Sequence, residues 1–96
     1  MSELIDNTEA RRFEMDFAAS GDHAAGRVWG DYAVRGDVRA IMHVEAEPQL
    51  RGSGAAARFM QALAEHARRT GLKMRPLCGY AAAWHRRHPE FDDTLV

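Results

Sequence analysis

Between residues 38 and 70 the chain passes from an alternating run, through Gln49-Leu50-Arg51-Gly52-Ser53-Gly54-Ala55, into an amphipathic stripe. This junction restricts the fold more than any other segment. From Val38 to Glu45 the pattern is that of a strand, with Val38, Ala40, Met42 and Val44 on one face and Arg39, Ile41, His43 and Glu45 on the other. Pro48 ends it, because proline cannot donate to a ladder. Beyond the loop, Ala56, Phe59, Met60, Leu63 and Ala67 recur at spacings of three and four. That spacing lays one apolar stripe along a helix of about four turns. Ser53 or Gly54 caps its start and Gly71 is its left-handed stop, with Arg68 and Arg69 in the last turn, where the helix dipole favours positive charge. A strand, a glycine-rich turn and a helix in this order offer exposed backbone N–H groups to an anion such as a pyrophosphate. Such turns also serve as plain helix starts, so the flanking segments must decide.

Residues 1–10 are polar and lack a sustained period, reading as a lead-in with room for a short strand. Phe13, Met15 and Phe17 then alternate with Glu14 and Asp16, which places three large apolar side chains on one face of a strand and the acids on the other. Ser20-Gly21-Asp22-His23 supplies a turn, and Val28, Tyr32 and Val34 share one parity of a second strand, with Trp29 and Asp31 on the other. Arg35-Gly36-Asp37 closes a hairpin into the run that starts at Val38. After the helix, Leu72 to Leu77 reads as a further strand and Tyr80 to Arg87 as a short helix that Pro89 stops. Phe91 can pack back on the sheet. The expected fold class is α+β: antiparallel strands, a helix, a strand joined through a parallel crossover, and a short C-terminal helix.

At 96 residues the chain is read as one domain. A formal net charge of −1 argues against a protein that coats nucleic acid. Basic charge is nearly all arginine, and the pairs Arg11-Arg12, Arg68-Arg69 and Arg86-Arg87 read first as solvated faces. No apolar run approaches a membrane span, and the N-terminus lacks a signal-peptide pattern, so a cytoplasmic location is expected. Cys78 is the only cysteine, which excludes an intrachain disulfide and a thiolate zinc site. His85 and His88 stand three apart without a supporting ligand, and no metal is expected.

The strand, the Q-x-x-G-x-G pattern of Gln49, Gly52 and Gly54, and the helix together resemble the acetyl-CoA signature of GNAT N-acetyltransferases. From Arg11 onward the chain is similar to the small stand-alone GNAT-like acetyltransferases of YjdJ and NATD type. Its Ile41-Met42-His43-Val44-Glu45 run, Leu77-Cys78 and Arg87-His88-Pro89-Glu90-Phe91 carry the likeness. The resemblance implies a minimal acetyl-CoA-binding fold without the extra helices that enclose an acceptor in larger relatives. It matches Gln49, Arg51, Gly52, Ser53, Gly54 and Ala55 to the pyrophosphate loop, with Val44 on the strand leading to it, and it matches His43 and Cys78 to the residues of chemistry. The departure lies after Gly54, where Ala55-Ala56-Ala57-Arg58 replaces a more usual Ile-Gly continuation.

Acetyl transfer to an amine needs a neutral nucleophile, a path for its proton and donors for the developing oxyanion. His43 could take the proton, or be a strand histidine bonded to backbone. Cys78 could carry the acetyl group covalently, or be a buried or cofactor-lining thiol. Tyr80 could protonate the departing thiolate or simply pack on the sheet, and Arg87 and His88 could meet the phosphates of CoA or form an exposed basic helix end. Two functions follow: an acetyl-CoA-dependent N-acetyltransferase acting on a primary amine of a protein or small molecule, and a non-catalytic CoA-binding module that works with a partner. The acceptor is not readable, and an open acceptor side leaves room for a homodimer.

Overall fold

The computed structural model describes residues 3–96. Five strands form one sheet in the order β1-β2-β3-β4-β5: β1 Leu4–Asn7, β2 Arg12–Phe17, β3 Gly26–Arg35, β4 Val38–Ala46 and β5 Lys73–Pro76. The first four are antiparallel in sequence, and β5 joins β4 in parallel through α1, Ala55–Thr70. A second helix, α2, covers Gly79–Arg87. The lead-in thus holds a strand, and the expected α+β class is the one observed.

Alternation drives the packing. Phe13, Met15 and Phe17 of β2, Val28 and Tyr32 of β3 and Ile41 of β4 are buried with Phe59, Met60, Leu63 and Ala67 of α1. Ala81 and Trp84 of α2 and Phe91 of the C-terminal 3-10 segment Pro89–Thr94 join the same cluster. Both helices therefore cover one face of the sheet. The other face carries Arg12, Asp16, Arg27, Asp31, His43 and Glu45 in cross-strand rows. Glu14 lies on that face as its parity predicts and is nonetheless buried, where Asn7 donates to it at 3.2 Å and Arg27 pairs with it at 3.3 Å. A buried carboxylate is tolerated when its lone pairs are filled in this way.

Backbone conformation sets the remaining corners. Gly71 ends α1 at φ 77°, the left-handed stop its position predicts. Gly30 lies beneath the ring of Phe59, where a Cβ would meet Phe59 Cε2 and Cζ at 3.3 Å. Helix and sheet approach this closely because the residue has no side chain. At the C-terminus Arg68 forks onto Asp93 at 2.9 and 2.6 Å and lies over the ring of Phe91, which fastens the 3-10 segment to α1.

One expectation fails along β4. Asp31 pairs with His43 but Tyr32 pairs with Ile41, so Met42 is an extra residue and forms a β-bulge. Alternation reverses there: Ile41 turns into the core, Met42 is exposed, and Val44 turns inward opposite Gly30, so Val38, Ala40, Met42 and Val44 do not share a face. At the same point β4 and β5 part. Their ladder stops at Ile41 opposite Pro76, and the amides of Leu77 and Cys78 both donate to the Ile41 carbonyl, at 3.0 and 3.1 Å. From His43 to Ala46 the strand has no β5 partner.

Candidate functional site

The loop after β4 is built to leave amides free. A 3-10 turn over Pro48–Leu50 carries the chain into Arg51, and Gly52 and Gly54 take φ of 81° and 86°. Neither glycine is crowded, so it is the left-handed backbone, and not lack of space, that calls for glycine there. Gly54 is the N-cap of α1 and offers no side chain to it. Ser53 supplies a partial substitute: its Oγ donates to the Leu50 carbonyl at 2.5 Å and accepts from the Ala55 amide at 3.2 Å. The amides of Gly52, Gly54, Ala56 and Ala57 find no acceptor among the described residues. Unfilled donors at the positive end of a four-turn helix dipole have the chemistry to receive an anion.

A cavity of about 350 Å³ opens beside this loop, lined by Leu50, Arg51, Gly52, Gly54, Ala57 and Tyr80. Three loop positions expected from the sequence and the tyrosine of α2 are thereby brought together. Tyr80 is raised above the ordinary tyrosine value chiefly by burial, which Arg87 opposes and Cys78 reinforces, so its phenol keeps a proton to donate at neutral pH. Val44 lies half-buried on the unpaired stretch of β4 that leads to the loop.

Other expected residues stand elsewhere. Gln49 turns away from the cavity and donates to the Ala25 carbonyl at 2.8 Å, over Gly26, where a Cβ would lie 2.6 Å from its Nε2. His88 stacks on Trp84 with ring centroids 4.0 Å apart and bonds the Trp84 carbonyl through Nδ1 at 2.8 Å, which leaves Nε2 unengaged. It lines a separate groove of about 600 Å³ with Arg58, Gln61 and Trp84, and Ala57 borders both hollows. Arg87 is exposed in the last turn of α2. Arg58 and Trp84 were not singled out by sequence as site residues. The available signals were the position of Arg58 in the first turn after the loop and the helical spacing of Trp84 and His88.

His43 and Cys78 occupy opposite sides of the parting strands. Cys78 is half-buried at the N-cap of α2, with its Sγ accepting from the Ala81 amide at 3.3 Å. His43 lies on the uncovered face and bonds Glu45 Oε1 through Nε2 at 2.7 Å. The other Glu45 oxygen takes Arg51 Nη2 at 3.0 Å, so one carboxylate joins the histidine to the loop. The hydrogen bond from His43 holds Glu45 below the usual carboxylate range, with slight burial opposing and the charges of His43 and Arg51 adding to it. A proton on Nε2 for that bond leaves the Nδ1 lone pair of a neutral His43 free. The two residues share no hydrogen bond.

Among the described residues, no three His, Cys, Asp or Glu side chains converge to hold a metal ion. No helix there is long and apolar enough to cross a membrane.

A parallel strand pair that parts at a bulge, with a glycine-capped helix at its mouth, is set in a five-stranded α+β domain. The sequence profile of the GCN5-related N-acetyl-transferases matches residues 12–94, and the chain belongs to that family. Among solved structures it is similar to the NMR solution structure of a GCN5-like candidate N-acetyltransferase from Staphylococcus aureus, at 21% identity and a TM-score of 0.65. That similarity covers 98% of this chain and 87% of the other. Among curated proteins, none matches.

Proposed function

We propose that the protein transfers an acetyl group from acetyl-CoA to a primary amine. The observation that carries this reading is the cavity of about 350 Å³ joining Arg51, Gly52, Gly54 and Tyr80 at the mouth of the β4–β5 parting. The free amides of the loop would take the pyrophosphate, with Arg51 at the rim. Ala57 would pass the remainder of the nucleotide toward Arg58 and His88. Gln49 and Ser53 would hold the loop in shape, since their polar atoms are bonded to the Ala25 and Leu50 carbonyls.

With the acetyl thioester lying along the unpaired edge of β4 near Val44, the amine lone pair attacks the carbonyl carbon and the carbon–sulfur bond breaks. His43 Nδ1 takes the amine proton, and the CoA sulfur leaves as a thiol after receiving one from Tyr80, whose phenolate is reprotonated from water. In the covalent route Cys78 attacks first, its thiol proton passing to the departing CoA sulfur, and holds the acetyl group as a thioester until the amine displaces it and gives a proton back to the Cys78 sulfur. No base contacts Cys78 among the described residues; its bond comes from Ala81 N–H, which favours the direct route.

Calorimetric titration with acetyl-CoA and with CoA, followed by mass measurement of the protein, tests the reading. Binding together with thiol release in the presence of amines is the expected result. Binding without thiol release across a broad amine panel would leave a CoA-binding module, and absence of binding would overturn the proposal.

A further inference from the structure

On the uncovered face, beyond the parting strands, lies a groove of about 430 Å³ that the transfer chemistry does not use. Its floor is apolar: Val38, Ala40, Met42 and Leu77, with Met42 and Leu77 among the most exposed large hydrophobic side chains of the protein. Arg35 and Arg75 flank it, each exposed and without a carboxylate partner among the described residues. No acidic side chain lines it. A neighbouring hollow of about 480 Å³ on the same face differs in this respect, because its Arg12 and Arg27 are already paired with Asp31 and Asp16. Of these two hollows on the uncovered face, only the groove keeps its guanidiniums unpaired, and a forked guanidinium is suited to a carboxylate or phosphate.

The groove also points at the chemistry. Met42 is the residue before His43, and Leu77 the residue before Cys78. Register sets Arg75 opposite Ala40 and Arg35 opposite Val38. At strand rise these partners lie about 7 Å and about 13 Å from Met42.

Resting on the reading above, we propose that this groove selects the acceptor: a small primary amine whose apolar stem ends in an anionic group, carboxylate or phosphate. The anion lies between Arg35 and Arg75, the stem on Met42 and Leu77, and the amine at the strand parting beside His43.

Titration of the isotope-labelled protein, followed by amide NMR in the presence of CoA, tests this directly. The probes are 6-aminohexanoate, 5-aminopentyl phosphate, hexylamine and 1,5-diaminopentane. The anionic pair should shift the Arg35, Met42, Arg75 and Leu77 amides, the tighter of the two naming the anion, and the other two probes should not. Arg35→Gln with Arg75→Gln should raise the Kd of the anionic probes about 10-fold or more while leaving CoA affinity in place. Equal shifts from hexylamine or the diamine, or indifference to the arginine variants, would overturn the proposal. So would groove shifts that depend on protein concentration alone, which would put a second copy there. Groove binding with no thioester consumption for any amine would defeat the acetyltransferase reading and still support anion selection.

Discussion

Glu45 stands two residues beyond His43 on the same face of β4 and accepts its Nε2 at 2.7 Å while holding Arg51 of the loop with its other oxygen. The carboxylate fixes the imidazole orientation and ties it to the candidate cofactor loop. Replacing His43 with alanine should lower amine acetylation about 100-fold or more, the usual loss when a positioned base is removed. CoA affinity should be little changed. Glu45→Gln should cost less turnover than His43→Ala. Initial rates of thiol release check both, and full activity in His43→Ala would remove the histidine from the mechanism.

Three carboxylates should make the protein acid-sensitive. Asp16 is lowered by its bond to Arg27, Glu45 by His43 and Asp93 by Arg68. A depressed folded-state value means that the stabilisation is fully present above the ordinary carboxylate range near about pH 4 and is lost as pH falls through the lower folded values. Thermal unfolding midpoints should hold steady from neutral pH down to that range and decline below it. Asp93→Asn should flatten part of the decline.

Substituting Gly54 with valine places a β-branched residue at φ 86°. The left-handed backbone should cost about 1–2 kcal/mol of stability, and the displaced amides should weaken CoA binding. Calorimetry and chemical denaturation measured together separate the two effects, and unchanged CoA affinity would move the site elsewhere.

At Cys78 the choice of replacement matters, because the sulfur accepts the Ala81 amide as the cap of α2. Cys78→Ala should lose about 0.5 kcal/mol of cap stabilisation, the low end for a cap because sulfur is a weak acceptor, whereas Cys78→Ser keeps an acceptor. If the thiol serves only as cap and lining, the serine variant should turn over normally. Loss of activity in both variants, with an acetyl adduct on the wild-type cysteine, would establish the covalent route.

Gly30 offers a test of the packing. A methyl group there would press on the Phe59 ring at 3.3 Å, so Gly30→Ala should destabilise the domain by about 1–3 kcal/mol through overpacking. Denaturant midpoints at constant slope check this. A neutral result would mean that the ring moves aside freely.

Much of the architecture was legible because period and punctuation agree. The parity of Phe13, Met15 and Phe17, the stripe from Phe59 to Ala67 and the stop at Gly71 each have a local cause. The bulge at Met42 was not legible, since nothing in its own residue type marks it and it arises from pairing with a strand a turn away. The burial of Glu14 depends on Asn7 and Arg27, which only the register brings beside it. Within the candidate site, the loop positions Arg51, Gly52 and Gly54 and distant Tyr80 line one cavity. The turn of Gln49 toward Ala25 was hidden because it depends on the space above Gly26.

The carbonyl of Ile41 accepts two consecutive amides at the place where β4 and β5 separate. The opening is thus set by main-chain atoms that every residue type except proline possesses. Side-chain substitutions along its walls, proline aside, leave those donors and that acceptor in place, so a domain this small can change what it admits while keeping the same doorway.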